Sequence, residues 1–339
     1  MKNILFLILF GVLINTTACQ TGETEFINVS GFIFGSTYSI VYESSKKITP
    51  DSLKQNVERI LLDFEKSLSS YNETSLISRI NRNEDVKVDE YIEEIYKNSV
   101  MISEMSGGAF DITIGPLVNA WGFGSDGHKN FDEQKLDSLL NLVGMDKIKL
   151  ENGKIVKSNP NIVLDFNAIA KGYSVDLVAR YFNTMGIKNY LVEIGGELRT
   201  RGTRNGNLWR IGIDKPEDTN FIKGQSGLQA IIKITDKSMA TSGNYRRFYI
   251  EDGIKYSHTI DPATGYPVKN RLLSVTTLAD ECGIADGIAT VCMVLGLEKA
   301  QEFINSHPEF SAIMIYSDTD GEFETWVSES LKQYMEDMQ

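Results

Sequence analysis

Leu164-Asp165-Phe166-Asn167-Ala168-Ile169-Ala170-Lys171-Gly172 is the stretch on which the rest of the chain is organised. Val163, Leu164 and Phe166 have strand-like side chains, and Val175, Val178, Tyr181, Phe182 and Met185 recur at helical spacing with Gly186 as a stop. The segment therefore reads as a strand end, a tight turn and the start of a helix, helical from Tyr173 onward. Such a junction gathers ligands, because a helix start points unpaired N–H groups outward and favours negative charge. Gly172 adds room for a close neighbour, and Lys171 adds a positive charge.

Working outward, a first strand is expected over Phe32 to Tyr42, with Gly35-Ser36-Thr37 inside it as a bulge or point of close approach. Thr49-Pro50 opens a helix carrying Leu53, Val57, Ile60, Leu61, Phe64 and Leu68 on one face. A short helix is expected over Ser75 to Asn81, and a third, carrying Tyr91 to Met105, stops at Ser106-Gly107-Gly108. Gly107 to Gly124 holds too many turn formers for a regular element but is apolar enough to be an ordered, functional loop. Ser125 to Asp132 reads as a mobile flap, followed by a helix over Asp132 to Leu142 and a hairpin reaching Ile155.

Strands are expected at Tyr190 to Glu193, Trp209 to Ile213, Ala230 to Ile234, Phe248 to Ile250, Ser274 to Leu278 and Ser311 to Tyr316. Interspersed with helices and turns, they indicate a mixed α/β (α+β) protein with partly antiparallel sheets and packed helices. Asp286 and Thr290 lie four apart and share a helix face. A carboxylate and a hydroxyl stacked one turn apart can hold a hard cation, and a buried Asp needs such a partner. The alternative is an Asp that serves only its own helix end.

With a formal net charge of −12, the chain lacks the basic footprint a nucleic-acid binder needs. The N-terminus combines Lys2 with an apolar run from Ile4 to Ile14 and ends in Thr16-Thr17-Ala18-Cys19. This resembles a bacterial lipoprotein cleavage site, with residues 1–18 a signal peptide, Cys19 the lipidated first mature residue and 19–30 a tether. The expected location is outside the cytoplasm, lipid-anchored to the inner membrane on its periplasmic side. Cys282 and Cys292 are expected as small core residues.

Six segments then coincide with one family: Ser106-Gly107-Gly108-Ala109-Phe110-Asp111, Asp165 to Tyr173, Glu193-Ile194-Gly195-Gly196-Glu197, Ser238-Met239-Ala240-Thr241-Ser242-Gly243, His258-Thr259-Ile260-Asp261-Pro262-Ala263-Thr264-Gly265 and Ala285 to Thr290. In this order they resemble the FAD:protein FMN transferases of the ApbE family, over one domain spanning 31–339 with a T-fold-like architecture. The resemblance implies transfer of FMN from FAD to a threonine or serine hydroxyl of an exported acceptor, such as a redox-pump subunit, with release of AMP. It further implies Mg²⁺ held by Asp286, Thr290 and the carbonyl of Ala168. One metal is expected, since Ala289 stands where some members carry a second acid.

By the same resemblance, Phe34, Tyr71, Ala109, Phe110, Asp111, Asp165, Lys171 and Ile260 contact FAD, and His258 is the base for the acceptor hydroxyl. Phe34 replaces the methionine common at its position. Two other outcomes fit such a site: hydrolysis of FAD to FMN and AMP, or storage of FAD without turnover.

Overall fold

The computed structural model describes residues 25–45, 48–124, 127, 131–215, 227–244, 248–251 and 254–336. The expected signal peptide, Cys19 and much of the expected flap lie outside these residues.

The chain begins with a hairpin. β1 (Phe26–Ile33) pairs antiparallel with β2 (Ser36–Glu43) across a two-residue turn in which Phe34 has φ 53° and Gly35 has φ 71°. Left-handed conformation at both central residues is what a tight hairpin turn matching strand twist requires. The single strand expected over Phe32 to Tyr42 is thus two, and Phe26 to Ser30, assigned by sequence to the tether, already belong to β1. A phenylalanine at the first left-handed position concealed the turn.

Helices α1 (Pro50–Leu68), α2 (Leu76–Asn81) and α3 (Glu90–Met105) follow, close to their sequence-based bounds. Thr49, Ser75 and Asp89 cap their N-termini through side-chain oxygens. The segment read as irregular contains a 3₁₀ turn (Ile112–Ile114) and a short helix, α4 (Gly115–Ala120). Pro116 is tolerated there because the first turn of a helix has N–H groups to spare. The helix expected over Asp132 to Leu142 shrinks to a 3₁₀ turn and α5 (Leu136–Leu140), after which β3 (Ile148–Glu151) and β4 (Lys154–Lys157) form a hairpin.

The remaining elements are α6 (Asn167–Thr184), β5 (Tyr190–Ile194), β6 (Glu197–Arg201), β7 (Trp209–Asp214), β8 (Leu228–Ile234), β9 (Ser238–Gly243), β10 (Phe248–Glu251), β11 (Ile254–Ser257), β12 (Leu272–Ala279), α7 (Cys282–Leu295), α8 (Leu297–Ser306), β13 (Ser311–Ser317), β14 (Phe323–Val327) and α9 (Glu329–Lys332). Eight strands form one sheet in the order β1-β2-β5-β6-β9-β12-β13-β14, antiparallel at every pairing. The α+β class read from sequence therefore holds.

Side chains alternate across this sheet as a two-residue period demands. Ala240, Val275, Ala279, Ala312 and Met314 enter the core shared with the helices, whereas Leu198, Met239, Leu278 and Ile313 face the β7–β8 ribbon. At the other end, Ile40, Tyr42 and Val192 pack on Leu53, Val57, Val175 and Phe182 from α1 and α6. Cys282 and Cys292 are free and buried, as expected.

One buried ion pair fixes how α7 meets α6. The carboxylate of Asp176 on α6 is fully buried, pairs with Arg199 on β6 and accepts hydrogen bonds from the N–H groups of Cys282 at 3.0 Å and Gly283 at 2.8 Å. It does for α7 what the helix's own N-cap residue, Glu281, does not, since that side chain makes no capping bond. Removing one partner of such a pair strands a charge in the core. Asp176→Ala should lower the unfolding free energy by about 3–5 kcal/mol, a loss that urea denaturation would register as a lower midpoint.

Candidate active site

The organising stretch is not a strand among the described residues, and its helix starts earlier than expected. Residues 162–166 form no regular element and join no sheet. Their backbone is satisfied otherwise: the Asn81 side chain donates to the Leu164 carbonyl at 2.9 Å and accepts from its N–H at 2.8 Å, while Asp165 N–H donates to the Ile112 carbonyl at 2.7 Å. An amide side chain thus replaces one residue of a neighbouring strand. Helix α6 begins at Asn167, so Ala168 and Lys171 lie in its first turns rather than in a loop.

Helices α6 and α7 cross at glycines. A Cβ on Gly172 would lie 2.3 Å from the carbonyl oxygen of Cys282 and 2.8 Å from the Cβ of Asp286. That closeness allows the Gly172 N–H to donate to Asp286 Oδ2 at 3.0 Å. In an α-helix the carbonyl of residue 168 points at the N–H of residue 172. The Asp286 carboxylate thus sits on the N–H group that a regular helix aims at the Ala168 carbonyl. Thr290, one turn further along α7, has its hydroxyl 3.4 Å from that of Ser242 at the end of β9. Gly172→Ala should cost about 1–3 kcal/mol of stability through overpacking, although alanine is the better helix former. An unchanged thermal midpoint in that variant would mean the helices can separate freely.

The electrostatics favour a cation. Asp286 is buried, and burial first, then the neighbouring Glu197 carboxylate, push its carboxyl up to about 8 against the opposing pull of Lys171 and the Gly172 N–H. Among the described residues its second carboxylate oxygen takes no hydrogen bond. Carboxylate, hydroxyl and carbonyl make an oxygen-only donor set, which suits a hard divalent ion such as Mg²⁺.

Lys171 Nζ lies 3.1 Å and 3.0 Å from the two carboxylate oxygens of Glu197. Phe34 is half-buried at the β1–β2 turn with its ring edge-on to Phe64 at 5.8 Å, and Tyr71 is 57% exposed. Ala109 is half-buried, and Phe110 is buried in the helix-side core. Asp111 turns its carboxylate onto the Thr113 N–H at 2.7 Å and hydroxyl at 2.6 Å, and burial raises its carboxyl. Asp165 accepts from the Asn167 N–H at 2.8 Å. Ile260 is buried with Leu117, Trp121 and Val143, which leaves its backbone for any ligand contact.

His258 sits between the buried Ser257 and Thr259, with its ring edge-on to Phe123 at 6.4 Å. Thr259 Oγ1 donates to Asn244 Oδ1 at 3.3 Å, two residues beyond Ser242. The histidine loop and the Thr290 side of the centre thus meet at the end of β9. Sequence reasoning assigned no role to Ser242, Asn244, Glu197 or Asp176. The first and third lay within quoted motifs, but nothing in the pattern named their partners.

The ApbE family profile matches residues 34–314. A FAD:protein FMN transferase of Vibrio cholerae is 35% identical over 337 residues, covering 97% of this chain and 98% of that protein. Its Escherichia coli counterpart is 32% identical over 326 residues, covering 93% and 91%. Among solved structures, the flavin transferase ApbE from Vibrio cholerae superposes with a TM-score of 0.81 at 36% identity, covering 92% of this chain and 99% of that one. The apo flavinyl transferase ApbE of Pseudomonas stutzeri gives 0.82 at 31%, covering 92% and 97%.

Proposed function

The chain belongs to the ApbE family of FAD:protein FMN transferases, and we propose that it uses the Asp286 centre, loaded with Mg²⁺, to pass FMN from FAD to a threonine or serine of an exported acceptor protein. The observation that carries the metal part is the buried Asp286 carboxylate held on the Gly172 N–H in the first turns of α6, with Thr290 one turn away along α7. Ala168, Asp286 and Thr290 would hold the ion. When bound, it supplies charge neutralisation for the diphosphate and for the departing AMP phosphate.

The chain's own residues supply the rest. Lys171, 42% exposed at its side chain, offers a positive charge to the diphosphate. The positive dipole end of α6 favours the same anion, while its Asn167, Ile169 and Ala170 N–H groups already have acceptors within the chain. Tyr71, exposed, offers a ring face on which a flavin or adenine can stack. His258 takes the proton of the acceptor hydroxyl as its oxygen bonds to the FMN phosphorus. The P–O bond to AMP breaks in the same displacement, so the acceptor gains a phosphoester and AMP leaves with the bridging oxygen.

We place the enzyme outside the cytoplasm, anchored through lipid on Cys19 to the periplasmic side of the inner membrane. Support comes from the N-terminal sequence pattern; no helix among the described residues is long and apolar enough to cross a membrane. Co-expression with an exported candidate acceptor tests the proposal. A flavin-fluorescent acceptor band on a denaturing gel is the expected result. Stoichiometric release of free FMN and AMP, with no band for any acceptor tried, would select FAD hydrolysis instead.

A further inference from the structure

The Glu193-Ile194-Gly195-Gly196-Glu197 motif has no part in the chemistry just described, yet its tight turn is built around a single lysine. Gly195 has φ 64°, and a Cβ there would lie 2.9 Å from Lys171 Cδ and 3.1 Å from Ser36 Oγ. The lysine stem therefore crosses the turn where only a glycine leaves space. Glu193 braces the turn from inside by accepting the Gly196 N–H at 2.7 Å. Past the glycines, Glu197 presents both oxygens to Lys171 Nζ at 3.1 Å and 3.0 Å.

The pair is unequal in exposure: the Lys171 side chain is 42% exposed and the Glu197 side chain 4%. Burying a carboxylate is costly, and an ion pair of this kind adds little net stability over an apolar replacement. Its value must lie elsewhere. The residue after Lys171, Gly172, donates its N–H to Asp286 at 3.0 Å, so the lysine leaves the helix beside that carboxylate. A flexible ammonium beside an acidic metal site can settle on the site's own carboxylate and compete with the metal.

We infer that Glu197 is a positioning residue: it draws the Lys171 ammonium to the rim of the centre, leaving Asp286 to the metal and presenting the lysine to the diphosphate of FAD. This rests on the transferase reading of the site. Glu197 touches no reacting atom; its carboxylate also repels that of Asp286, and the positioning proposed here acts through Lys171. Loss of its charge should weaken FAD handling by the same route as loss of the lysine.

The test is a double-mutant cycle on the full-length enzyme with Glu197→Gln, Lys171→Met and the double variant, together with Glu197→Asp. In FMN transfer, Glu197→Gln should lower kcat/KM for FAD by about 10–100-fold, with at least half of the loss in KM, as for residues that orient a functional group from behind. The double variant should be no worse than Lys171→Met alone, and Glu197→Asp should recover part of the loss. Losses that add in the double variant, or full activity in Glu197→Gln, would overturn the inference.

A second readout needs no turnover. Acylation of Lys171 by an amine-reactive reagent, followed by peptide mapping, should speed up about 10-fold in Glu197→Gln, because a charge-assisted bond no longer shields the amine. An unchanged labelling rate in a folded variant would contradict the inference even if the wild-type chain proved not to transfer FMN. Conversely, faster labelling without any FMN transfer in the wild type would leave the Glu197–Lys171 device standing and remove the transferase reading.

Discussion

Asp286→Ala should abolish magnesium-dependent FMN transfer while the protein stays folded. The side chain is the only carboxylate in the proposed donor set, and its Oδ2 is anchored by the Gly172 N–H, so its second oxygen is free to face an ion. Removing it takes away the charge that holds the cation and the several kcal/mol of phosphate stabilisation the cation brings, a drop of roughly 10³-fold or more in kcat/KM. The fold should survive because the buried carboxylate is itself a burden: burial and Glu197 push its carboxyl up, so alanine relieves a repulsion. Circular dichroism would register the retained fold, and release of AMP with titrated Mg²⁺ would register the loss. A variant that turned over normally would remove the metal assignment.

His258→Ala should slow transfer by about 10²–10⁴-fold, the range expected for losing a general base. The structure sets the imidazole on the loop before Ile260, tied through Thr259 and Asn244 to the end of β9 that also holds Ser242 against Thr290. Its loss should fall on the chemical step, with FAD binding and metal binding unchanged. A rate equal to the wild type would return the histidine to a structural role.

The two effects concern different ends of one reaction. Asp286 works on the diphosphate that breaks; His258 works on the hydroxyl that attacks. Combined, they should leave a protein that still binds FAD through Tyr71 and the α6 N-terminus but neither transfers nor hydrolyses it.

Much of this arrangement was legible in the sequence, for identifiable physical reasons. The helices α1 and α3 carry strong periodicity and clear N-caps, so their existence and extent follow from local pattern. The pair Asp286 and Thr290 was recognisable because four-residue spacing on a helix is itself a geometric statement. Strand errors arose where tertiary contacts replaced local rules. Leu164 looks like a strand residue, but its backbone is satisfied by the Asn81 side chain from far along the chain. Phe34 conceals a hairpin turn because its left-handed conformation is one that bulky residues seldom adopt.

The supporting residues were illegible for a different reason. Asp176 looks like any acid on a helix, and only the fold reveals that it is buried, paired with Arg199 and capping another helix. Glu197 lies in a motif that sequence could mark but not explain, because its meaning is a distance to Lys171. Pairwise relations across elements leave no periodic trace in a single sequence. Such residues are found by asking what satisfies each buried charge.

Intact-protein mass spectrometry of an exported acceptor, after incubation with this enzyme, FAD and Mg²⁺, tests the central claim most directly. The expected result is one added FMN, joined through a phosphoester to a threonine or serine, with an equal amount of AMP and no adduct when Mg²⁺ is chelated. An acceptor of unchanged mass beside accumulating FMN and AMP, or an adduct that forms equally well without the metal, would contradict it.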